Sequence, residues 1–278
     1  MIANGRPPAH ATFRAASNFG NPKRPEVYFQ LREAVAGMKE ACEALGTPVT
    51  GGNVSLYNEN PTGAVYPTPV IGMVGLVDSL AHVTRATFSV PGDAIVLLGE
   101  NTDELGGSEY LARIHGEVAG RPPRCDLTRE RSVIDALLEA IRDGTVRSAH
   151  DCAEGGLAVA LAECVMMERA RPTSARVDLS VWSSVPTRAL LFGEAQARVV
   201  ISTPDPEAVL AIAARHEVPA HIIGEVNAAS APFTIEIDGA TLAVAVSALA
   251  ESYHEAIPRV MSRTASAQDV ALASDSQV

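Results

Sequence analysis

The sequence runs to 278 residues, which at about 150 residues per domain gives a prior of two domains and excludes a small stapled scaffold. Its 22 Lys+Arg against 33 Asp+Glu leave a formal charge of −11, so phosphate backbones are repelled and nucleic acid is excluded as a partner. With 47% hydrophobic, 20% charged and 4% aromatic residues, the chain reads as an Ala/Val/Leu-rich globular protein rather than a disordered one.

The spacing of Val27, Leu31, Val35, Met38, Cys42 and Leu45 predicts a helix over 26–45, ended by Gly46 and Pro48. TPVTGGNVSLY and the apolar run at 69–78 follow as strands, with Gly51 and Gly52 marking a bulge or a close approach to the backbone. The opening 25 residues are rich in Pro, Asn and Gly, so this first part is short of strands. At about residue 90 the texture changes, and a domain boundary is placed there: 1–90, then 91–262. In the second part helices are predicted at 103–115, 128–142, 155–169, 205–215 and 247–261. Strands are predicted at 94–99, 146–150, 175–179, 197–202, 220–226 and 233–237. The fold class is therefore α/β, with a mixed sheet covered by helices. Residues 263–278 form a small-residue tail expected to be disordered.

No apolar run reaches the roughly 18 residues of a membrane span, and the N-terminus lacks a signal-peptide core, so a cytoplasmic location is expected. Cys42, Cys125, Cys152 and Cys164 form no CxxC, so zinc or redox pairing is not indicated, and reduced thiols are expected.

Several loops carry chemistry, each with a plainer structural explanation beside it. In GGNVS at 51–55 the glycines admit an anion to the backbone, Asn53 offers an oxygen to a hard cation, and Ser55 presents a hydroxyl two residues on. A Gly bulge accounts for the same residues equally well. HDCAEGG at 150–156 sets a Gly pair at a helix N-terminus, with Glu154 in the first turn and Asp151 able to cap it; packing glycines and an acidic cap explain it more simply. His150 reads as a satisfied buried histidine rather than a base. GGSEY at 106–110 repeats the pattern, and two such loops raise the odds of a phosphate pocket. Glu194 and Gln196 in FGEAQAR lie one strand period apart and could hold a ribose or an amide, although an edge-strand polar pair is the duller account. GxxxxGK[ST], GxGxxG and GxSxG signatures are absent, so an ATP user here must employ another fold.

Taken in register, SNFGNPKRPEVYFQLREAVAGMKEACEALGTPVTGGNVSLYNEN, PTPVIGMVGLVD, LGGSEY, AHDCAEGGLAVALAE and FGEAQARVVIS resemble the C-terminal part of the synthetase subunit family of phosphoribosylformylglycinamidine synthase. That family lies within the aminoimidazole ribonucleotide synthetase superfamily. The likeness runs from about residue 5 to residue 260. It implies an N-terminal α/β domain that pairs through its sheet and a C-terminal α/β domain. It also implies ATP- and Mg2+-dependent conversion of formylglycinamide ribonucleotide to the amidine, through an iminophosphate that ammonia displaces. By the resemblance Gly52 contacts ATP, Asn53 binds magnesium and Ser55 contacts substrate, with no catalytic residue assigned. Glutaminase and small accessory subunits are the implied partners.

The match has departures. Three residues before Asn18 the family carries a polar ATP-contacting residue, and this chain has Ala15. The family subunit contains two domain pairs and the chain matches only the second. Its catalytic histidine, lysine and acidic magnesium ligands are not matched, and neither His10 nor His150 sits in that histidine's context. The isolated chain is therefore expected to be inactive without the other half, and to expose apolar sheet surface that drives self-association. Glu194 and Gln196 match a substrate segment of the family's first half and are discounted here. The alternatives are a non-catalytic nucleotide-binding or assembly module, and another enzyme of the superfamily.

Overall fold

The structure is a computed structural model and describes residues 12–262. The tail at 263–278 and His10 lie outside the described residues.

Two sheets organise the chain. The smaller is built on the unit β1 (Thr12–Asn18), α1 (Pro25–Leu45) and β2 (Val49–Ser55), with β1 and β2 parallel. A two-stranded ribbon, β3 (Glu59–Asn60) and β4 (Gly63–Ala64), leads to β5 (Thr68–Val74), which pairs antiparallel with β1. The order is β2-β1-β5, so β1 is central. Sequence patterning predicted α1, β2 and β5 but not β1, because TFRAASN carries only one large apolar residue, Phe13. Pro25 at the first helical turn and Gly46 in the left-handed region bound α1.

The larger sheet has seven strands in the order β12-β11-β8-β10-β6-β9-β7. They are β6 (Ala94–Leu98), β7 (Ser148–Asp151), β8 (Thr173–Asp178), β9 (Val199–Thr203), β10 (Ala220–Ala228), β11 (Phe233–Ile237) and β12 (Ala240–Val244). Pairings are antiparallel apart from β11 with β8, which makes the sheet mixed as expected. Its helices are α2 (Leu127–Arg142), α3 (Gly156–Met166), α4 (Thr187–Phe192), α5 (Pro206–Arg215) and α6 (Val246–His254). Asp126 caps α2 through the amides of Thr128 and Arg129, and Asp205 caps α5.

The run AIVLL shows why the sheet is covered on both faces. Ile95 and Leu97 join a core with Leu157 and Leu161 of α3, Leu190 of α4 and Val246 of α6, whereas Val96 and Leu98 join a second core with Leu137 of α2 and Ile212 of α5. Alternating residues of a continuous apolar strand thus serve opposite layers. Phe88 already belongs to the first of these cores, and Arg85 bridges to Ser148.

Four details differ from the sequence reading. The helix expected at 103–115 shrinks to a short turn that includes the π-helical stretch Leu111–His115, because Gly106 and Gly107 form a turn and the Ser108 hydroxyl, donating to the Leu105 carbonyl, accepts the Leu111 N–H. β12 was not predicted, although Asp238 and Gly239, both at positive φ, supply the two-residue hairpin turn that joins it to β11. α4 is too short to show a period. The last helix ends at His254 and further helical turns resume at 256, so it is not one element.

Leu161 is fully buried in the first core. Leu161→Ala is expected to cost about 2–5 kcal/mol of unfolding free energy, read by urea titration of the full chain.

Candidate functional site

β1 is the floor of the candidate site, and its two faces differ. Phe13 and Ser17 are 6% and 2% exposed, whereas Arg14 and Asn18 are exposed. Register pairs Arg14 with Gly51, Ala16 with Asn53 and Asn18 with Ser55 on one face, and Ala15 with Gly52 and Ser17 with Val54 on the other. Asn53 and Ser55 therefore share the open face, as their spacing implied, and Gly52 belongs to the opposite one. Asn53 is exposed, and Ser55 is half-buried.

Gly52 has a packing reason to be glycine: a Cβ there would sit 2.0 Å from the carbonyl oxygen of Ala15. Ala15 stands directly opposite it, so the position where the resemblance expects a polar side chain is paired with Gly52 and carries only a methyl group.

The ends of β1 and β2 are locked by residues that sequence reasoning quoted but assigned no role. The Phe19 amide donates to Ser55 O, and the amides of Tyr57 and Asn58 donate back to Gly20 O and Phe19 O. Tyr57 adopts φ 62°, an unusual left-handed value that turns the chain over the strand ends. Asn58 Nδ2 then donates to Ser55 O at 2.9 Å and Phe19 O at 3.2 Å, with Ser55 Oγ also 3.2 Å away. Glu59 accepts the Asn21 N–H at 2.9 Å and lies 3.6 Å from Arg24. The segments NFGNP and GNVSLYNE thus close on each other; their asparagines, and the acid that follows the second, were the available signal.

The other Gly-pair loops form a separate arrangement. The Glu194 carboxylate accepts the N–H of Glu109, in the GGSEY loop, at 2.8 Å and that of Gly155 at 2.9 Å. Gly155 is the N-cap of α3 and has no side-chain cap of its own segment, so Asp151 does not cap the helix and stays exposed. A Cβ on Gly156 would meet Gly193 O at 2.5 Å, which supports the packing explanation of this pair. An internal carboxylate occupies the place where the two loops converge, in accord with their structural rather than phosphate-binding reading.

Glu194 and Gln196 do not lie on a strand; β9 begins at Val199. Ala197, at φ 53°, breaks the extended path, so Glu194 turns inward and Gln196 stays exposed. Arg198 is 4% exposed and donates to Ala195 O, Asn101 Oδ1 and Gly193 O at 3.0, 2.8 and 2.6 Å. Its partners are neutral, and burial lowers the guanidinium pKa. Glu130 accepts the Ala197 N–H at 2.8 Å, and burial raises its carboxyl pKa. Gln196 and Ala197 line two adjoining clefts. One, of about 760 Å³, lies between 99–104, the start of α2 and 217–219; the other, of about 320 Å³, lies against Leu137, Leu138 and Cys152. Neither is lined by Gly52, Asn53 or Ser55.

His150 is mostly buried, with Nε2 3.2 Å from Glu163 and Nδ1 2.7 Å from the Asp151 carbonyl, as expected of a satisfied histidine. No group of three or more His, Cys, Asp and Glu able to hold a metal occurs among the described residues. On the open face Asn53 provides one neutral oxygen, which fits a single ligand to a cation carried by phosphates but not a protein-built magnesium cage. No helix among the described residues is long and apolar enough to cross a membrane.

The chain belongs to the AIR synthase related protein family: that family's N-terminal domain matches residues 2–77 and its C-terminal domain residues 90–235. Among curated relatives it is 46% identical over 250 residues to phosphoribosylformylglycinamidine synthase subunit PurL of Moorella thermoacetica, covering 88% of this chain and 33% of the relative. It is 44% identical over 255 residues to the same subunit of Anaeromyxobacter dehalogenans, covering 89% and 33%. The chain thus spans about a third of the length of these relatives. Among solved structures it is similar to Thermotoga maritima PurL complexed with FGAR, at TM-score 0.68 and 20% identity over 86% of this chain and 39% of that one. The same protein complexed with ATP gives 0.65 and 21%, over 86% and 37%. At these identities the structures establish the fold.

Two measurements test this geometry. Asn58→Ala removes the donor to two backbone carbonyls at the strand ends and is expected to cost about 1–3 kcal/mol, seen as a lower Tm. Burial raises the Cys152 thiol pKa from 9.0 to about 11 and raises that of Cys164 as well. The folded state therefore binds more protons than the unfolded state above pH 9. Stability is expected to be undiminished below pH 9 and to fall as pH rises through 11, and Cys152→Ala is expected to blunt that fall in alkaline melts.

Proposed function

We propose that this chain is the C-terminal portion of a phosphoribosylformylglycinamidine synthase of the PurL type, serving the ATP-dependent amidation of formylglycinamide ribonucleotide. The observation that carries this reading is the closure of NFGNP on GNVSLYNE, which displays Asn53 and Ser55 on an open sheet face. The names of the curated relatives and the substrate and nucleotide in the Thermotoga maritima complexes support it.

In this reaction the terminal phosphoryl group of ATP passes to the amide oxygen of the substrate, and ammonia then displaces phosphate from the iminophosphate carbon. Catalysis of such a step rests on positioning and on neutralising phosphoryl charge. Here Gly52 offers backbone alone to the nucleotide, Asn53 gives one oxygen to nucleotide-bound magnesium, and the Ser55 hydroxyl, steadied by Asn58, meets the substrate. Residues 1–90 and 91–262 act as the two domains, and the purine-pathway setting fits a cytoplasmic location.

The described residues supply part of the machinery, and the remaining acids and bases belong to the other half of the synthetase. The smaller sheet has surface for that half on the face opposite Asn53, where Val54 and Met73 are 57% and 54% exposed; Tyr28 and Phe29 of α1 are also open. The other half, or a second copy in its absence, covers this surface. Glutaminase and small accessory subunits would deliver the ammonia.

The test is ATP turnover with formylglycinamide ribonucleotide and ammonia. Turnover is expected only when the chain is mixed with the remainder of a synthetase, and Asn53→Ala is expected to lower it at least about tenfold, or about 1.4 kcal/mol of transition-state stabilisation. Absence of turnover in the mixture, with nucleotide still bound, would favour a non-catalytic nucleotide-binding module.

A further inference from the structure

On the open face of the smaller sheet the residues fall into three rows across β5, β1 and β2. The first is Gly72, Arg14 and Gly51; the second is Val70, Ala16 and Asn53; the third is Thr68, Asn18 and Ser55. Arg14 thus lies at one end of a shelf whose other end carries the three polar side chains of the last row. Both of its cross-strand neighbours are glycine. A Cβ on Gly72 would meet nothing within 4 Å, and one on Gly51 would meet only the Arg14 side chain, at 3.7–4.0 Å. The guanidinium therefore lies beside Gly51, over backbone that carries no side chain.

Arg14 is exposed, and among the described residues it makes no ion pair or side-chain hydrogen bond. Arg32 and Lys39 of α1, by contrast, pair within their own helix, with Glu33 and Glu43. Asn53 sits one row along from Arg14 on the same face, diagonally across the β1–β2 pair. A planar, permanently charged fork beside an amide oxygen and a row of hydroxyl and amide groups suits a phosphoryl group, whose oxygens take the guanidinium's paired N–H donors.

We propose that Arg14 is a binding residue of this site and pairs with a phosphoryl group of the ligand that lies along the shelf towards Asn53 and Ser55. The proposal deepens the reading of the preceding section and rests on it. Arg14 supplies positive charge on the face that carries Asn53, while Ala15, on the opposite face, supplies none. The shared chemistry is a phosphate ester or anhydride, which either a nucleoside triphosphate or a sugar monophosphate provides.

The experiment is calorimetric titration of the full chain, alone and mixed with the remainder of a synthetase, with MgATP, ribose 5-phosphate and adenosine. Arg14→Ala is expected to weaken one phosphate-bearing ligand at least about tenfold and to leave adenosine unchanged. Arg14→Lys should recover part of the loss, and Lys39→Ala should have no effect. Loss confined to MgATP assigns the anhydride, and loss confined to ribose 5-phosphate assigns the monoester. In about 1 M salt, where the Debye length is about 3 Å, wild type and Arg14→Ala should converge, which a purely structural role would not produce. If Asn53→Ala weakens binding and Arg14→Ala does not, the Arg14 assignment is overturned while the site stands. If wild type binds neither phosphate-bearing ligand in either setting, both fall.

Discussion

The parallel pairing of β1 with β2 is the constraint from which the candidate site follows. A parallel pair fixes which residues of the two strands share a face, and a slip of one residue would send Asn53 and Ser55 to the side on which Phe13 and Ser17 are buried. Two features hold that register. Gly52 allows the Ala15 carbonyl an approach that any Cβ would forbid, and Asn58 ties the strand ends by donating to carbonyls of both. The site chemistry is thus inseparable from a backbone contact and an amide clasp that touch no ligand themselves.

The larger sheet is stabilised differently. Its central strands β6 and β9 are buried on both faces, and its two cores share β6 as a common wall, so apolar packing rather than polar locking sets its geometry. At one end of the sheet the polar groups of Glu194, Arg198 and Glu130 gather. There they satisfy the amides and carbonyls of the loops that link strand to helix. Glu194 occupies the convergence of two Gly-pair loops, so glycine-rich composition at a helix start marks close packing in this chain.

Much of the fold was legible in the sequence because strong periodicities carry it. α1, α2 and α5 show apolar stripes, and β6, β9 and β11 show apolar runs of strand length. β1 was not legible: Arg14, Ala15 and Ala16 carry no alternation strong enough to mark a strand, and pairing on both sides supplies what propensity does not. The helix expected at 103–115 failed for the converse reason, since local pattern could not weigh the Gly106–Gly107 turn. Within the site, the spacing of Asn53 and Ser55 gave their common face. Placing Gly52 on the opposite face, across from Ala15, required the neighbouring strand.

By itself the sequence determined what is local: the apolar periods, the caps at Asp126 and Asp205, the turn at Asp238 and Gly239, and the motif segments that mark the family. Tertiary structure alone decided which distant residues meet. It set Arg14 between Gly51 and Gly72, closed Asn58 over Phe19, and brought Glu194 to the amides of Glu109 and Gly155. The division has one physical cause. Caps and periodicities act within a few residues of chain, whereas strand register and the partners of a carboxylate or a guanidinium are chosen by segments tens of residues apart, when burial and hydrogen bonding are satisfied together.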